Sequence, residues 1–320
     1  MKILITGCAG FIGFHLCRKL ATEQGFAIMG IDNLNDYYDT NLKKNRLKIL
    51  RKNKNFSFLK IDISKKKQFL NKIKLYKFNV IVHLAAQAGV RKSFSDPNLY
   101  RINNIVAFDN VLELAKLSKI NHLVYASSSS VYGNSKKTPL SENHNTDDQI
   151  SYYGSTKKNN EISASIFSKM YNIPCTGLRF FTVYGPYGRP DMAPHLFTDA
   201  IVKGKKINLF NKGNLVRDFT YIDDVVEAMD KIIKSNLRNQ SLHEIYNIGN
   251  GNPKSVKKFV KIIEKYLNLK ANFKVMGMQK GDVSHTHADI SKVKKKFKYN
   301  PKTDLDKGLK QFVEWYMSYY

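Results

Sequence analysis

Cysteine is scarce in this 320-residue chain. Cys8, Cys17 and Cys175 are its three, with neither metal-ligand spacing nor the pattern of a disulfide framework, so they read as reduced thiols and imply no metal site. Long apolar runs are missing too. No stretch approaches the roughly 20 residues that a bilayer-spanning helix needs. The apolar opening, Ile3-Leu4-Ile5, is too short for a signal-peptide core and no small-residue cleavage site follows it. These absences predict a cytoplasmic chain with no membrane partner. Acidic residues form the third shortage: 26 Asp and Glu stand against 53 Lys and Arg, leaving a net charge of +27. Such an excess attracts phosphate polymers, but its placement argues against a nucleic-acid partner. In residues 255–266 the side chains Val256, Phe259, Val260, Ile262, Ile263 and Tyr266 make an apolar stripe with lysines between them, the pattern of a helix with a solvated face. Any further role for the charge lies first in steering an anionic substrate.

What is present is a rhythm. Short apolar runs at 2–6, 27–31, 56–61, 80–84, 122–126 and 175–179 predict strands, and residues 12–21, 99–117 and 153–171 predict helices. Strands alternating with helices give a doubly wound parallel sheet. After Phe180 the rhythm changes to a Gly/Pro-rich passage at 185–194 and shorter elements. A chain of this length exceeds one core of roughly 250–300 residues, so two joined lobes are expected. Residues 1–180 with about 219–248 would form a Rossmann lobe; about 181–218 and 249–320 would form a smaller α/β lobe that binds the substrate.

The first strand runs into Gly7-Cys8-Ala9-Gly10-Phe11-Ile12-Gly13 and then a helix, the order that dinucleotide binding requires. One glycine permits the tight turn, one lets backbone N–H groups approach a pyrophosphate, and one lets helix and strand pack closely, with the phosphates at the positive end of the helix dipole. Three glycines alone could merely make a turn. Asp32, followed by Asn33, lies about 20 residues on at the end of the second strand, where its carboxylate can accept hydrogen bonds from adenosine ribose hydroxyls. That charge would repel a 2′-phosphate, and no arginine follows it directly, so NAD is expected rather than NADP. Asp62 and Ile63 after the third strand, and Leu84, Ala85 and Ala86 after the fourth, are candidate walls for the cofactor.

Tyr153 and Lys157 stand four apart at the start of a predicted helix and so share a face. Such a pair also arises by chance on a surface helix. The strand at 122–126 leads, however, into Ser127-Ser128-Ser129-Ser130-Val131-Tyr132-Gly133, a serine cluster at the carboxyl end of a parallel strand, where open α/β sheets bind ligands. With the turn Gly7 to Gly13, the run Tyr153-Gly154-Ser155-Thr156-Lys157, the stretch Leu178-Arg179-Phe180-Phe181-Thr182-Val183-Tyr184-Gly185-Pro186 and the stretch Arg217-Asp218-Phe219-Thr220-Tyr221-Ile222-Asp223-Asp224, the chain resembles the extended short-chain dehydrogenase/reductases over essentially its whole length. The resemblance implies NAD in one lobe, a nucleotide sugar in the other, and Tyr153 as catalytic base. A free tyrosine has a pKa near 10, and the Lys157 ammonium would favour its phenolate. The resemblance also implies that Lys157 bonds the nicotinamide ribose and that Ser128 bonds the substrate hydroxyl. Ser129 and Ser130 either touch the substrate or satisfy their own turn.

Family members that dehydrate or decarboxylate their sugars carry carboxylic residues just before Val-Tyr-Gly, where this chain has Ser129 and Ser130. Without that carboxyl group, oxidation and re-reduction at C4 is the expected chemistry, which means epimerisation. Asp32-Asn33-Leu34-Asn35-Asp36-Tyr37-Tyr38-Asp39, Ala85-Ala86-Gln87-Ala88-Gly89-Val90-Arg91 and Tyr184-Gly185-Pro186-Tyr187-Gly188-Arg189-Pro190-Asp191-Met192 resemble UDP-glucuronate 4-epimerases. That resemblance implies Thr182 and Arg189, with the serines, as contacts of a sugar carboxylate; galactose-type enzymes usually have Asn at the position of Thr182. It implies Arg217 at the diphosphate and Asp282 at the ribose of UDP, although Lys280 stands where the family more often has Pro. Arg189 could instead only brace its loop, and Arg217 could be an ordinary loop arginine. A UDP-glucose/UDP-galactose 4-epimerase is the nearest alternative, ahead of a decarboxylase, a dehydratase or a non-catalytic NAD-binding protein. Homodimerisation through the helices at 99–117 and 153–171 is a further implication.

Overall fold

Apolar residues on both sides of Lys2–Thr6 let one strand serve two cores: Ile3 and Ile5 join one buried cluster, Leu4 the other. Strands buried on both faces belong to parallel sheets covered by helices. The computed structural model describes residues 1–235, 241–278 and 281–320, and Lys280 lies outside them. Seven strands form the central sheet in the spatial order His243–Ile248, Cys175–Phe180, His122–Ser128, Val80–His83, Lys2–Thr6, Ala27–Asp32, Phe56–Lys60. Every pairing is parallel. The expected α/β doubly wound architecture is therefore present. The direction of winding reverses beside Lys2–Thr6, whose neighbours are Ala27–Asp32 and Val80–His83, and ligands bind at such a switch point.

The predicted strands differ from the observed ones by a residue or two at their ends, but one predicted helix does not survive intact. Residues 99–117 divide into a short turn at Pro97–Tyr100, a π-helical stretch at Arg101–Val106 and an α-helix at Ala107–Ser118. The wider turn seats Asn104, whose amide nitrogen bonds the carbonyl of Gln87 at 3.0 Å and whose oxygen accepts the Gln87 N–H at 2.7 Å. A π-turn inside a helix commonly marks a functional site, and here the neighbouring Asn103 faces the ligand cleft.

Past Phe180 the elements are short. Thr182–Tyr184 pairs with Phe219–Tyr221, Val216–Arg217 with Lys254–Ser255, and Lys206–Phe210 with Asn272–Met276. The helix Val256–Leu267 buries Phe259, Val260, Ile262 and Ile263 and leaves most of its lysines outside, as its stripe predicts. His243–Ile248 returns to the edge of the central sheet, and Ile222–Lys234 packs on the helix Phe11–Ala21. All three cysteines are buried free thiols. Among the described residues, no helix is long and apolar enough to cross a membrane.

Candidate active site

A single cavity of about 470 Å³ follows the carboxyl ends of the sheet strands. At one end it is lined by Gly7, Gly10, Phe11, Ile12 and Gly13, by Asp32 and Asn33, by Asp62 and Ile63, and by Leu84, Ala85 and Ala86. The sequence-predicted cofactor residues other than Tyr153 and Lys157 are thus gathered there, and those two line the same cavity. Gly7 has φ +71, and a Cβ on it would lie 2.8 Å from the Ala85 backbone nitrogen; on Gly13 it would lie 2.1 Å from the Gly7 carbonyl. Only hydrogen fits at either point. The strand ends are pinned by Thr6, whose Oγ1 accepts the N–H groups of Leu84 and Ala85 at 3.2 and 3.1 Å. Asp32 accepts the N–H of Leu34 at 2.8 Å and of Ala9 at 3.2 Å. Burial raises its pKa, against those bonds and the charges of Lys43 and Arg46. A glycine turn without room for side chains, opening a helix and facing a carboxylate, fits the pyrophosphate and ribose of a dinucleotide.

The catalytic candidates line the middle. The helix Tyr152–Tyr171 begins at Ser151, whose Oγ accepts the Gly154 N–H at 3.0 Å, and this cap fixes where Tyr153 and Lys157 emerge. Burial raises the Tyr153 pKa, while a hydrogen bond with Ser128 and the Arg189 charge pull it down. The Tyr153 ring lies edge-on to Tyr100 at 6.0 Å. Lys157 donates to the Ala126 carbonyl at 2.9 Å, and desolvation brings its pKa down to about 8, with Glu161 acting in the opposite direction. The serine cluster divides its work. Ser127 donates to Glu161 at 2.6 Å, and Arg179 grips the same carboxylate through Nε and Nη2, both at 2.8 Å. Ser128 Oγ donates to Ser130 Oγ and accepts the Ser130 N–H, each at 3.2 Å, so the turn satisfies itself in part while Ser128, Ser129 and Ser130 all face the cavity.

At the far end stand Thr182, Arg189, Arg217 and Asp282. Both arginines are already paired. Arg189 holds Asp191 through Nε at 2.9 Å and Nη2 at 2.5 Å, reaches the Ala88 carbonyl at 3.3 Å, and lies over the rings of Tyr37 and Tyr38. Burial opposes its charge, but the Asp191 pair outweighs this and raises its pKa. Arg217 Nη2 meets Asp282 at 2.5 Å; burial lowers its pKa despite that partner. Sequence reasoning missed Asp191, Gln87, which bonds Tyr37 and Tyr100, and the Glu161–Arg179 pair. Asp191 was within reach of inspection, two residues beyond Arg189. The others become visible only when distant segments meet.

Residues 4–312 match the GDP-mannose 4,6 dehydratase family. The chain belongs to that family. The resemblance to extended short-chain dehydrogenase/reductases is borne out by this match and by the relatives. UDP-glucuronate 4-epimerase 2 of Arabidopsis thaliana is 43% identical over all of this chain and 76% of its own length. UDP-glucuronic acid 4-epimerase from Bacillus cereus, solved with UDP-glucuronic acid and NAD, superposes with a TM-score of 0.92 at 34% identity, with all of both chains covered. UDP-glucose 4-epimerase of Thermotoga maritima, solved with UDP-glucose, superposes at 0.88 with 30% identity over 99% of each chain.

Proposed function

We propose that this chain is an NAD-dependent isomerase that interconverts UDP-glucuronate and UDP-galacturonate at C4. One arrangement carries the reading: a half-buried Tyr153 hydrogen-bonded to Ser128, its pKa raised by desolvation against that bond and the Arg189 charge, in the one cavity that the glycine turn, Arg217 and Asp282 also line. Tyr153 takes the proton of the sugar 4-hydroxyl, and Ser128 passes it along their hydrogen bond. NAD, held by the glycine turn, Asp32 and Lys157, would supply the acceptor and donor of the C4 hydride. Tyr153 then gives the proton back, so the cycle has no net redox change.

The family name suggests elimination, but the carboxylates lining the cavity are all occupied. Asp32 holds Leu34 and Ala9, Asp62 holds Ser64 through its N–H at 2.9 Å and hydroxyl at 2.7 Å, and Asp282 holds Arg217. Ser129 and Ser130 stand where a dehydratase or decarboxylase would carry an acid, leaving no free group at that point to expel a hydroxyl or deprotonate C5. We assign Arg189 and Thr182 to the substrate carboxylate, Arg217 to the diphosphate, Asp282 to the uridine ribose and Lys157 to the nicotinamide ribose. Holding the carboxylate has a second use. The 4-keto form of a glucuronate is a β-keto acid, and a carboxylate fixed by Arg189 is oriented against loss of carbon dioxide.

UDP-glucose epimerisation stays as the second reading for a specific reason: the Arg189 fork is already filled by Asp191, as a neutral sugar would leave it. Incubating the purified protein with UDP-glucuronate and, separately, UDP-glucose and resolving the products decides between them. UDP-galacturonate is the expected product; turnover of UDP-glucose alone would overturn the assignment. The two-lobe division proposed from the sequence, a cytoplasmic location and a role in supplying sugars for polysaccharide assembly belong to the same reading. A homodimer does as well, supported by Ile162, Ile166 and Met170, which leave 55%, 52% and 65% of their surfaces exposed along one stripe of the helix Tyr152–Tyr171.

A further inference from the structure

Arg46 plays no part in the reading so far, yet its side chain is fully buried, 0% exposed. A buried guanidinium is costly unless its N–H groups are satisfied. Its Nη1 and Nη2 find neutral oxygens in three separate segments, while its Nε has no hydrogen-bond partner among the described residues. From the helix Thr40–Leu50, Nη1 reaches the carbonyl of Ala9, inside the glycine turn, at 2.7 Å and the Tyr38 hydroxyl at 2.8 Å. Nη2 reaches the carbonyl of Tyr187 at 2.6 Å and that of Gly188 at 3.5 Å. The next residue in the chain is Arg189.

The backbone that Arg46 holds needs holding. Tyr187 has φ +56, a left-handed conformation that a tyrosine keeps only where its surroundings fix it. Its ring is wedged between Phe14 at 5.0 Å and Trp315 at 5.1 Å, and His15 Nε2 bonds the carbonyl of Pro186 at 2.9 Å. Burial and the charge of Arg18 lower the His15 pKa to about 3, so at neutral pH this ring is uncharged. Residues 186–188 are thus tied at successive carbonyls to the helix Phe11–Ala21, which opens at the glycine turn, and to the helix Thr40–Leu50.

We propose that Arg46 is a positioning residue that locks the loop before Arg189 to the glycine turn, and thereby sets where Arg189 presents its charge to the sugar. The proposal rests on the reading of Arg189 as the carboxylate contact. An arginine suits the task because its planar fork spans two carbonyl-bearing segments at fixed separation, whereas a lysine ammonium carries the same charge on one point. Through this one side chain, a shift of the cofactor turn is felt at the substrate arginine.

The test is a cycle of Arg46→Lys, Arg189→Ala and the double variant, each as NAD-loaded enzyme, with kcat and KM measured on UDP-glucuronate and UDP-glucose. Arg46→Lys should raise KM for UDP-glucuronate by roughly tenfold with a far smaller effect on UDP-glucose, and the double variant should be no worse on UDP-glucuronate than Arg189→Ala alone. Equal losses of Arg46→Lys on the two substrates, or losses that multiply in the double variant, would overturn it. Should Arg189→Ala itself weaken both substrates alike, the carboxylate reading falls and the Arg46 assignment with it. A selective Arg189→Ala beside an unselective Arg46→Lys sinks the Arg46 assignment alone. His15→Phe removes the other tie to the same loop; if Arg46→Lys is recovered unfolded, this variant must give the same selective rise in KM, and an unselective loss refutes the proposal.

Discussion

The two ends of the cleft are built from different materials. At the dinucleotide end recognition rests on backbone, a turn with room only for hydrogen at Gly7 and Gly13, joined by one side chain, the Asp32 carboxylate, that two backbone N–H groups hold. At the sugar end the recognition groups are long charged side chains, and each holds a carboxylate of the chain itself, Arg189 with Asp191 and Arg217 with Asp282. Backbone geometry is fixed when the fold forms. Side-chain ion pairs can exchange partners, and an incoming anion has to compete with the carboxylate already present. The first end therefore suits a cofactor kept through every cycle, the second a substrate that arrives and leaves.

The contrast can be tested at three points of decreasing effect. Tyr153 lies between the ends, so Tyr153→Phe should remove the proton transfer and leave the dinucleotide end untouched. Turnover should fall at least about a hundredfold, since general acid–base catalysis contributes roughly 10²- to 10⁴-fold, while NAD released on denaturation stays at the wild-type level. Loss of NAD together with activity would mean that Tyr153 supports the cofactor site rather than the chemistry. At the dinucleotide end, Asp32→Ala deletes the acceptor of two N–H groups as well as the charge that opposes a 2′-phosphate. Binding titrations should show the preference for NAD over NADP eroding by roughly tenfold and NAD affinity falling with it; a wild-type protein that binds both equally would remove the basis for the assignment.

Asp191→Asn carries the smallest effect and the most information about the sugar end. If Asp191 competes with the substrate carboxylate, KM for UDP-glucuronate should fall by about threefold, in line with the modest strength of a partly exposed pair, and KM for UDP-glucose should not follow. A rise in KM for UDP-glucuronate would show instead that Asp191 orients Arg189, and the contrast between an exchangeable end and a fixed one would have to be given up for this pair.

Much of the cofactor end was legible because its signals are local. A short continuous apolar run marks Lys2–Thr6, glycine spacing marks the turn, and Asp32 follows at the end of the next strand; all are properties of short segments. Tyr153 and Lys157 were legible for the same reason, being one helical turn apart. Arg46 was not. In the sequence it is one basic residue among many, and its meaning comes from Tyr187 and Gly188, brought close only by the fold. Glu161 and Arg179 likewise meet across the interface of helix and sheet, buried to 4% and 3% exposure. Within the serine cluster no role was read for Ser127; alternation along the strand end sends it to Glu161 and Ser128 to Tyr153. The single helix expected at 99–117 failed because apolar periodicity does not register one residue added to a turn.

That added residue has a consequence for how the chain tolerates change in length. On its upstream side Tyr100 lies against Tyr153; on its downstream side Val111 and Leu114 are sealed in the core. Deleting one residue from Arg101–Val106 would restore ordinary winding but turn one side against the other by about 100° and shorten the helix by about 1.5 Å. Either Tyr100 would leave Tyr153 or the core residues would face outward. The reading frame of this helix is therefore locked at both ends, so substitutions within Arg101–Val106 should be borne far more readily than any loss or gain of a residue.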